Sequence, residues 1–428
     1  MKHCTVAKPL NLSVTSPADG YISTCLAVLF TIILTYQVNQ FAAEVYPARF
    51  QPMATGITFW MMAVVLLLGA QLFRSENTIG SWLAKYYFIF HLVPVLLISA
   101  NIGSGLMLVS CSLGVISFAA FFHLTRPIRL STRRFHVPSE NIIFGFLILA
   151  VLVGLLMHPP NLSYGGSFTD LIFELRLAQR ESNQSFGYGF LYPFMTKVAV
   201  PLMMSIAVWR SSGTLFLIAT LLVILIFFTG GHRSVIGVSV ASIGIAIIAK
   251  NASWRLPLVI NTGLLALVIL MTLETDILVY LKMILRRVLL IPAYFPELYW
   301  DVFRVDGNFF PGMVERYGLP TPFFIGMQIH GEVGARANAG SVASFIPALG
   351  FTGPIVGCLC IGVLLKQLDK AALGIRNDFV RRALFPLVPS ILWILIDSNL
   401  ETALLSQALI WLVLVLLLLK DFRCREYP

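Results

Sequence analysis

Apolar runs of about 18 or more residues recur from one end of this chain to the other, each long enough for a helix to cross a hydrocarbon layer. Only short polar links separate most of them. Charged residues make up 12% of the chain and apolar ones 58%, against about 25% charged in ordinary globular domains. The expected fold class is therefore all-α, a polytopic integral membrane protein of about twelve transmembrane helices. One integral membrane domain over residues 1–428 is the natural unit.

In chain order the spans are expected near 21–43, up to 73, 81–100, 103–124, 142–157, 190–209, 214–229, 235–249, 256–273, 341–365, 383–396 and 404–419. Two polar stretches stand out between them, at 158–190 and 274–340. The start of the chain is polar and leads into a full-length span, so no cleavable signal peptide is expected. Cys25, Cys111, Cys358 and Cys360 fall inside spans and Cys4 and Cys424 in the tails, which implies no disulfide framework.

The formal charge is +10, from 30 Lys and Arg against 20 Asp and Glu. Most of these cations sit in short links between spans, a placement that speaks of topology and anionic lipid rather than nucleic acid. Arg126, Arg129, Arg133 and Arg134 crowd one link and fix it in the cytoplasm by the positive-inside rule. Twelve spans then place both termini inside. Ten cations fall on the outside against the bias. Arg49 is isolated; Arg176 and Arg180 lie in the 158–190 loop, and Arg233 in the tight turn GGHRS. The long loop carries Lys282, Arg286, Arg287, Arg304, Arg316 and Arg336. Cations that oppose the insertion bias point to use in an external site.

The chemistry of that site is set by its residue types. Arg is permanently charged and forks onto phosphate in a bidentate way. Tyr294, Phe295, Tyr299, Trp300, Phe309, Phe310, Tyr317 and Phe323 are interleaved with the long-loop cations, and their ring faces suit sugars. A ligand with a lipid tail, a phosphate and a glycan fits such a pocket. The plainer reading leaves the cations in lipid headgroups, or paired with Asp276, Asp301, Asp306, Glu315 and Glu332. The segment Asp276–Leu290 is short for a span and places Lys282 and Arg286 four apart on one helix face, as an interfacial amphipathic helix would. No Asp-x-Asp and no His/Cys/Asp cluster with ligand spacing occurs in an external loop, so neither metal nor cofactor is expected.

The Arg-bearing turn GGHRS, the long external loop with its Arg-bearing helix, and the loop exit GARANAGSVASFIPALGFTGPIVG together resemble bacterial O-antigen polymerases (Wzy), of the O-antigen polymerase and ligase superfamily. Arg176, ten intervening residues and Gly187 match the polymerase pattern in the smaller loop. The resemblance implies a GT-C-like membrane glycosyltransferase with two larger periplasmic loops in a bacterial inner membrane. Donor and acceptor would be undecaprenyl-diphosphate-linked glycans, joined with inversion and without metal into lipopolysaccharide chains. Lipid is a partner, a chain-length regulator protein a further candidate, and nucleic acid none. The catalytic candidates it implies are Arg176, Arg233, Arg286, Glu332, Arg336 and Asn338. Arg180, Gly187, Arg287, Arg304 and His330 are candidates for substrate binding.

The long loop carries no second Arg-ten-Gly pattern. Arg336 and Asn338 stand where the related ligases typically have a His, which favours polymerase over ligase. The base for the acceptor hydroxyl stays open among Glu332, His330, Glu174 and Glu181. Two alternatives remain: a ligase moving finished glycan to a lipid A core, and a flippase or other transporter of lipid-linked oligosaccharide. The polar residues gather in two external loops and no repeated halves are evident, unlike many transporters. His91 and His123 read as packing residues, Asp397 and Glu401 as solvated loop charges. Lys197, inside a span, is either functional or snorkels toward the outside.

The orientation is testable by labelling. Cysteines placed near Ser182 and Asp306 should react with a membrane-impermeant thiol reagent in intact spheroplasts, and one near Ser131 should not. Reaction near Ser131 alone would turn the protein around in the membrane.

Overall fold

The computed structural model describes residues 55–73, 79–102, 105–125, 140–161, 186–251, 286–305, 340–373 and 384–405. It also describes positions within 25–43, 171–175 and 262–266, and residues 308–309, 324–327 and 409–413. Nearly all of them are helical. In chain order the helices are α1 (described positions within 25–43), α2 (Thr55–Phe73), α3 (Ile79–Ile102) and α4 (Gly105–Leu124). Then come α5 (Glu140–Met157) and α6, which runs through Phe186–Phe194, a π-helical turn at Met195–Ala199 and Val200–Arg210. They are followed by α7 (Gly213–Gly230), α8 (Arg233–Asn251) and α9, a π-helical turn at Arg286–Leu290 continued as Ile291–Phe303. The last are α10 (Gly353–Leu373), α11 (Val388–Asp397) and α12 (Leu400–Leu405). A two-residue antiparallel pair, β1 (Arg304–Val305) with β2 (Asn308–Phe309), comes after α9.

Five helices among the described residues are long and apolar enough to cross a membrane: Ile79–Ile102, Gly105–Leu124, Gly189–Arg210, Gly213–Gly230 and Ala343–Ala372. Shorter apolar helices are Ala63–Leu72, Phe144–Met157, Ser234–Ile248 and Phe385–Asp397. Their side chains are distributed as a lipid environment demands. On α4 the exposed Leu106, Val109, Leu113 and Ile116 recur at helical spacing, while Ser110, Cys111, Gly114 and Phe118 face inward. Apolar outside and polar inside is consistent with a membrane protein.

The chain divides into two compact units. The first comprises Met1–Arg126, Trp254–Ala337 and Phe345–Asp369. Within it α4 and α10 approach closely because glycines face the crossing: a Cβ on Gly114 would sit 3.0 Å from the Pro354 carbonyl oxygen, and one on Gly362 2.8 Å from that of Phe118. Small residues let membrane helices meet backbone to backbone. The far end of α10 reaches the start of α3, where the Asp369 carboxylate accepts a hydrogen bond from the Ser81 N–H at 3.1 Å. Asp369 is 5% exposed, and α3 offers it the positive end of a helix. Lys85, one turn on, and Lys366, at 3.8 Å, supply the countercharge. Gly80 leaves no room for a side chain there, since a Cβ would run into the backbone and Cβ of Asp369.

The second unit comprises Pro127–Ser253, Asn338–Ser344 and Lys370–Pro428. Its centre is α8 against α6 and α7. Two tight turns join these helices. Ser211, left-handed at φ 51°, and Ser212, whose hydroxyl accepts from the Leu215 N–H, start α7. Gly231, at φ 60°, ends it and frees the chain to begin α8 at Arg233. Lys250 closes the opposite end by donating to the Val208 carbonyl at 2.9 Å and to the Ser211 hydroxyl. Ser242 donates to the Pro386 carbonyl at 2.7 Å and ties α8 to the turn before α11.

Three π-helical turns share a sequence cause. Phe88–Leu92 within α3, Met195–Ala199 in α6 and Arg286–Leu290 in α9 each end two residues before a proline, namely Pro94, Pro201 and Pro292. Proline has no N–H, so the carbonyl four residues before it loses its α-helical partner. Just before each of the first two prolines the register widens to i to i+5: the Val93 N–H bonds the Phe88 carbonyl and the Val200 N–H that of Met195.

Several expectations change. The long loop is not open throughout, because α9 is buried within the first unit and packs against α3. Tyr294, Phe295, Tyr299 and Trp300 are core residues there rather than free ring faces. Of the Asp276–Leu290 segment the structure describes Arg286–Leu290, where Arg286 is half-buried and Leu289 and Leu290 are buried and lead straight into α9. Gly187 falls within α6 rather than in a loop, and positions 171, 174 and 175 are helical too. The span expected at 341–365 opens with short turns through Thr352 and continues to Leu373.

Gly80→Ala should push α3 away from Asp369 and cost about 1–3 kcal/mol, as overpacking does. A lower melting temperature of the purified protein in detergent would report it; an unchanged one would mean that the two helices can part there without loss.

Candidate functional site

The second unit gathers several of the expected residues at one end. α8 begins at Arg233, so its first backbone N–H groups and its positive dipole end emerge there. The preceding His232 is half-buried, and its ring lies 5.8 Å from that of Tyr192 on α6. Gly187 is in the first turn of the same α6. The exit of the long loop reaches this unit as well, where the Ser341 N–H and hydroxyl both donate to the Leu395 carbonyl on α11. Asn161, just past α5, donates its N–H to the Phe228 carbonyl at 3.1 Å. Burial lowers the pKa of neighbouring His158, so it adds little charge near neutral pH.

Lys197, which by sequence is either functional or snorkels outward, lies in the π turn of α6 and is 8% exposed. Its ammonium stands 5.6 Å from the centre of the Trp393 ring, and the Asp397 carboxylate attracts it. Asp397 ends α11 and is half-buried, not a solvated loop charge. Lys197 and Asp397 are two hundred positions apart, and no periodicity links them. The local signal was Pro201, which sets the π turn.

The first unit holds Arg286 and Arg304. Arg286 is half-buried in the π turn of α9, its guanidinium 5.6 Å from the Phe41 ring centre. Arg304 is exposed beyond the other end of α9, 5.6 Å from the Trp300 ring. Arg287 shares the π turn by its backbone. Between the two ends sits Glu297, a carboxylate only 1% exposed. It acts electrostatically on the Cys111 thiol of α4, and Ser99 of α3 lies beside the same thiol. An ionisable side chain deep in such an interior marks function by default. Hydropathy gives no hint of it, because α9 does not have the pattern of a span. His91, in the π turn of α3, is buried with its ring 5.2 Å from Tyr87, in keeping with a packing role.

Arg176, Arg180, His330, Glu332, Arg336 and Asn338 lie outside the described residues. Among the described residues, no three His, Cys, Asp or Glu side chains converge as a metal would require. Comparison with protein-family models, with curated proteins and with solved structures finds no match for the chain.

Glu297→Gln keeps the shape and hydrogen-bonding capacity of the side chain and should melt close to wild type. Glu297→Ala removes a buried polar group from among others and should cost about 1–3 kcal/mol. Equal melting of the two variants would show that its neighbours do not depend on it.

Proposed function

We propose that this protein is an integral-membrane glycosyltransferase that polymerises undecaprenyl-diphosphate-linked oligosaccharide repeat units, as O-antigen polymerases do, on the periplasmic side of a bacterial inner membrane. The observation that supports it best is the convergence at one end of the second unit. Arg233 at the head of α8, the first turn of α6 with Gly187, and Ser341 at the exit of the long loop all belong to that end.

The chemistry asked of such an end is modest. The acceptor hydroxyl oxygen attacks the anomeric carbon of the donor from the face opposite the diphosphate. As that carbon–oxygen bond forms, the bond to the diphosphate oxygen breaks, and the configuration inverts. Undecaprenyl diphosphate departs with the electron pair. The hydroxyl proton passes to a base, for which Glu332, His330, Glu174 and Glu181 are the candidates. Diphosphate leaves readily once its growing charge is neutralised, and preorganised cations supply that neutralisation. Helix-end N–H groups emerge at Arg233, and by sequence Arg233, Arg176, Arg180 and Arg336 are the candidate guanidiniums. Two lipid-anchored substrates held at one membrane depth gain much of their rate from proximity.

The test is the surface glycan of a strain lacking the gene. A polymerase leaves a single repeat unit on the lipid A core, a ligase leaves none, and a flippase leaves lipid-linked units in the cytoplasm. Restoring the gene as Arg233→Ala should not restore the long ladder, whereas Arg233→Lys, which keeps charge but loses the fork, should give a shortened one. A full ladder from Arg233→Ala at normal protein level would remove Arg233 from the site.

A further inference from the structure

Lys197 is an odd residue to find on α6. A Met or Leu would fill the same space beside Trp393, and a cation inside an apolar helical unit is costly. It is nevertheless held in a defined place. The π turn Met195–Ala199 sets its angle, and the Val200 N–H pairs with the carbonyl that opens the turn. The three groups gathered there differ in chemistry. The ammonium is a phosphate-binding point charge, the Trp393 ring offers a flat apolar face, and the Asp397 carboxylate accepts hydrogen bonds from hydroxyls. Lys197 is buried, while Trp393 and Asp397 are only half-buried, so the cluster keeps a side that a ligand can reach.

The cluster also sits next to the end already described. Tyr192, five residues before Lys197 on α6, meets the ring of His232 beside Arg233. Leu395, two residues before Asp397, receives Ser341 from the loop exit. Lys197 is therefore roughly one to two helical turns deeper than the Arg233 turn, inside the same unit. A ligand whose charge must lie below the helix ends, because its lipid tail continues into the membrane, would meet it there.

We infer that Lys197, Trp393 and Asp397 form the subsite for the sugar-diphosphate junction of a polyprenyl-linked glycan, with the ammonium on the diphosphate and the ring and carboxylate on the first sugar. This rests on the polymerase reading and names a contact it did not include. Before a ligand binds, Asp397 is the countercharge of Lys197. When diphosphate binds, the ammonium is shared, and the carboxylate opposes the anion. Asp397 therefore tunes affinity downward and lets the product leave.

Binding measured on the purified full chain in lipid nanodiscs tests this, with undecaprenyl diphosphate as probe and undecaprenol as its uncharged control. Lys197→Met should weaken diphosphate binding by about tenfold or more, the scale of a lost charge-assisted contact, and leave undecaprenol binding unchanged. Lys197→Arg should restore most of the affinity. Asp397→Asn should tighten diphosphate binding, an effect a purely structural ion pair would not produce. The inference is overturned if Lys197→Met binds diphosphate like wild type. It is equally overturned if Lys197→Met and Asp397→Asn both weaken the diphosphate and the alcohol to the same degree, which would mark a packing role. If wild type itself does not prefer diphosphate to alcohol, the polymerase reading falls together with this subsite. A preference untouched by Lys197→Met sinks the subsite alone.

Discussion

Charge inside an apolar helical interior is the constraint on which both units depend. Apolar contacts are non-directional and would let these helices slide or rotate, but a buried ion must meet its partner at one place. In the first unit Asp369 is that partner for the start of α3, through the Ser81 amide and the nearby Lys85. The arrangement fixes the height of α10 against α3, and the missing side chain at Gly80 permits it. In the second unit Lys197 does the same for α6 and α11, through Trp393 and Asp397. Each unit thus holds a charged group in an otherwise apolar interior, drawn to a partner of long sequence separation.

Backbone satisfaction is the second constraint, and it acts through proline. A carbonyl left unpaired inside a membrane helix costs several kcal/mol, because no water replaces the lost bond. Pro94, Pro201 and Pro292 each create that problem, and a π-helical turn lies just upstream of each. The widened turns hold His91, Lys197 and Arg286. A π turn inserts a residue and so rotates the helix on its N-terminal side relative to the helix on its C-terminal side. Among the described residues, the three positions where the helices break register are therefore three positions where a basic side chain is aimed differently from its regular neighbours.

How much of this could be read beforehand depends on which force fixes each element. α4, α7 and α8 were legible almost to the residue, since a long uninterrupted apolar run bounded by Gly, Ser or Arg has one physical solution in lipid. The Gly230–Gly231 turn was legible for the same local reason. α9 was not. Its run IPAYFPELYW carries two prolines and a glutamate, which deny it the signature of a span, yet its alanine, leucine and aromatic residues supply enough apolar surface to be buried. Hydropathy cannot distinguish a helix that lies on a membrane from one held inside a protein. The attraction between Lys197 and Asp397 was likewise hidden, because an interaction across two hundred residues leaves no local pattern. The loop-exit candidates Glu332, Arg336 and Asn338 remain sequence assignments.

Distance along α9 also limits what its cations can do. The Arg286 and Arg304 guanidiniums each lie 5.6 Å from a ring centre, of Phe41 and Trp300 respectively. A ring at that distance attracts a cation and helps to hold it in place. Yet a helix rises about 1.5 Å per residue, and the length of α9 puts the two roughly 25 Å apart. That is far beyond the reach of one diphosphate. They cannot be two fingers on the same leaving group, however naturally two arginines of one loop suggest it. Within the first unit the two are therefore separate cations in different settings: Arg286 is half-buried in its π turn and Arg304 is exposed.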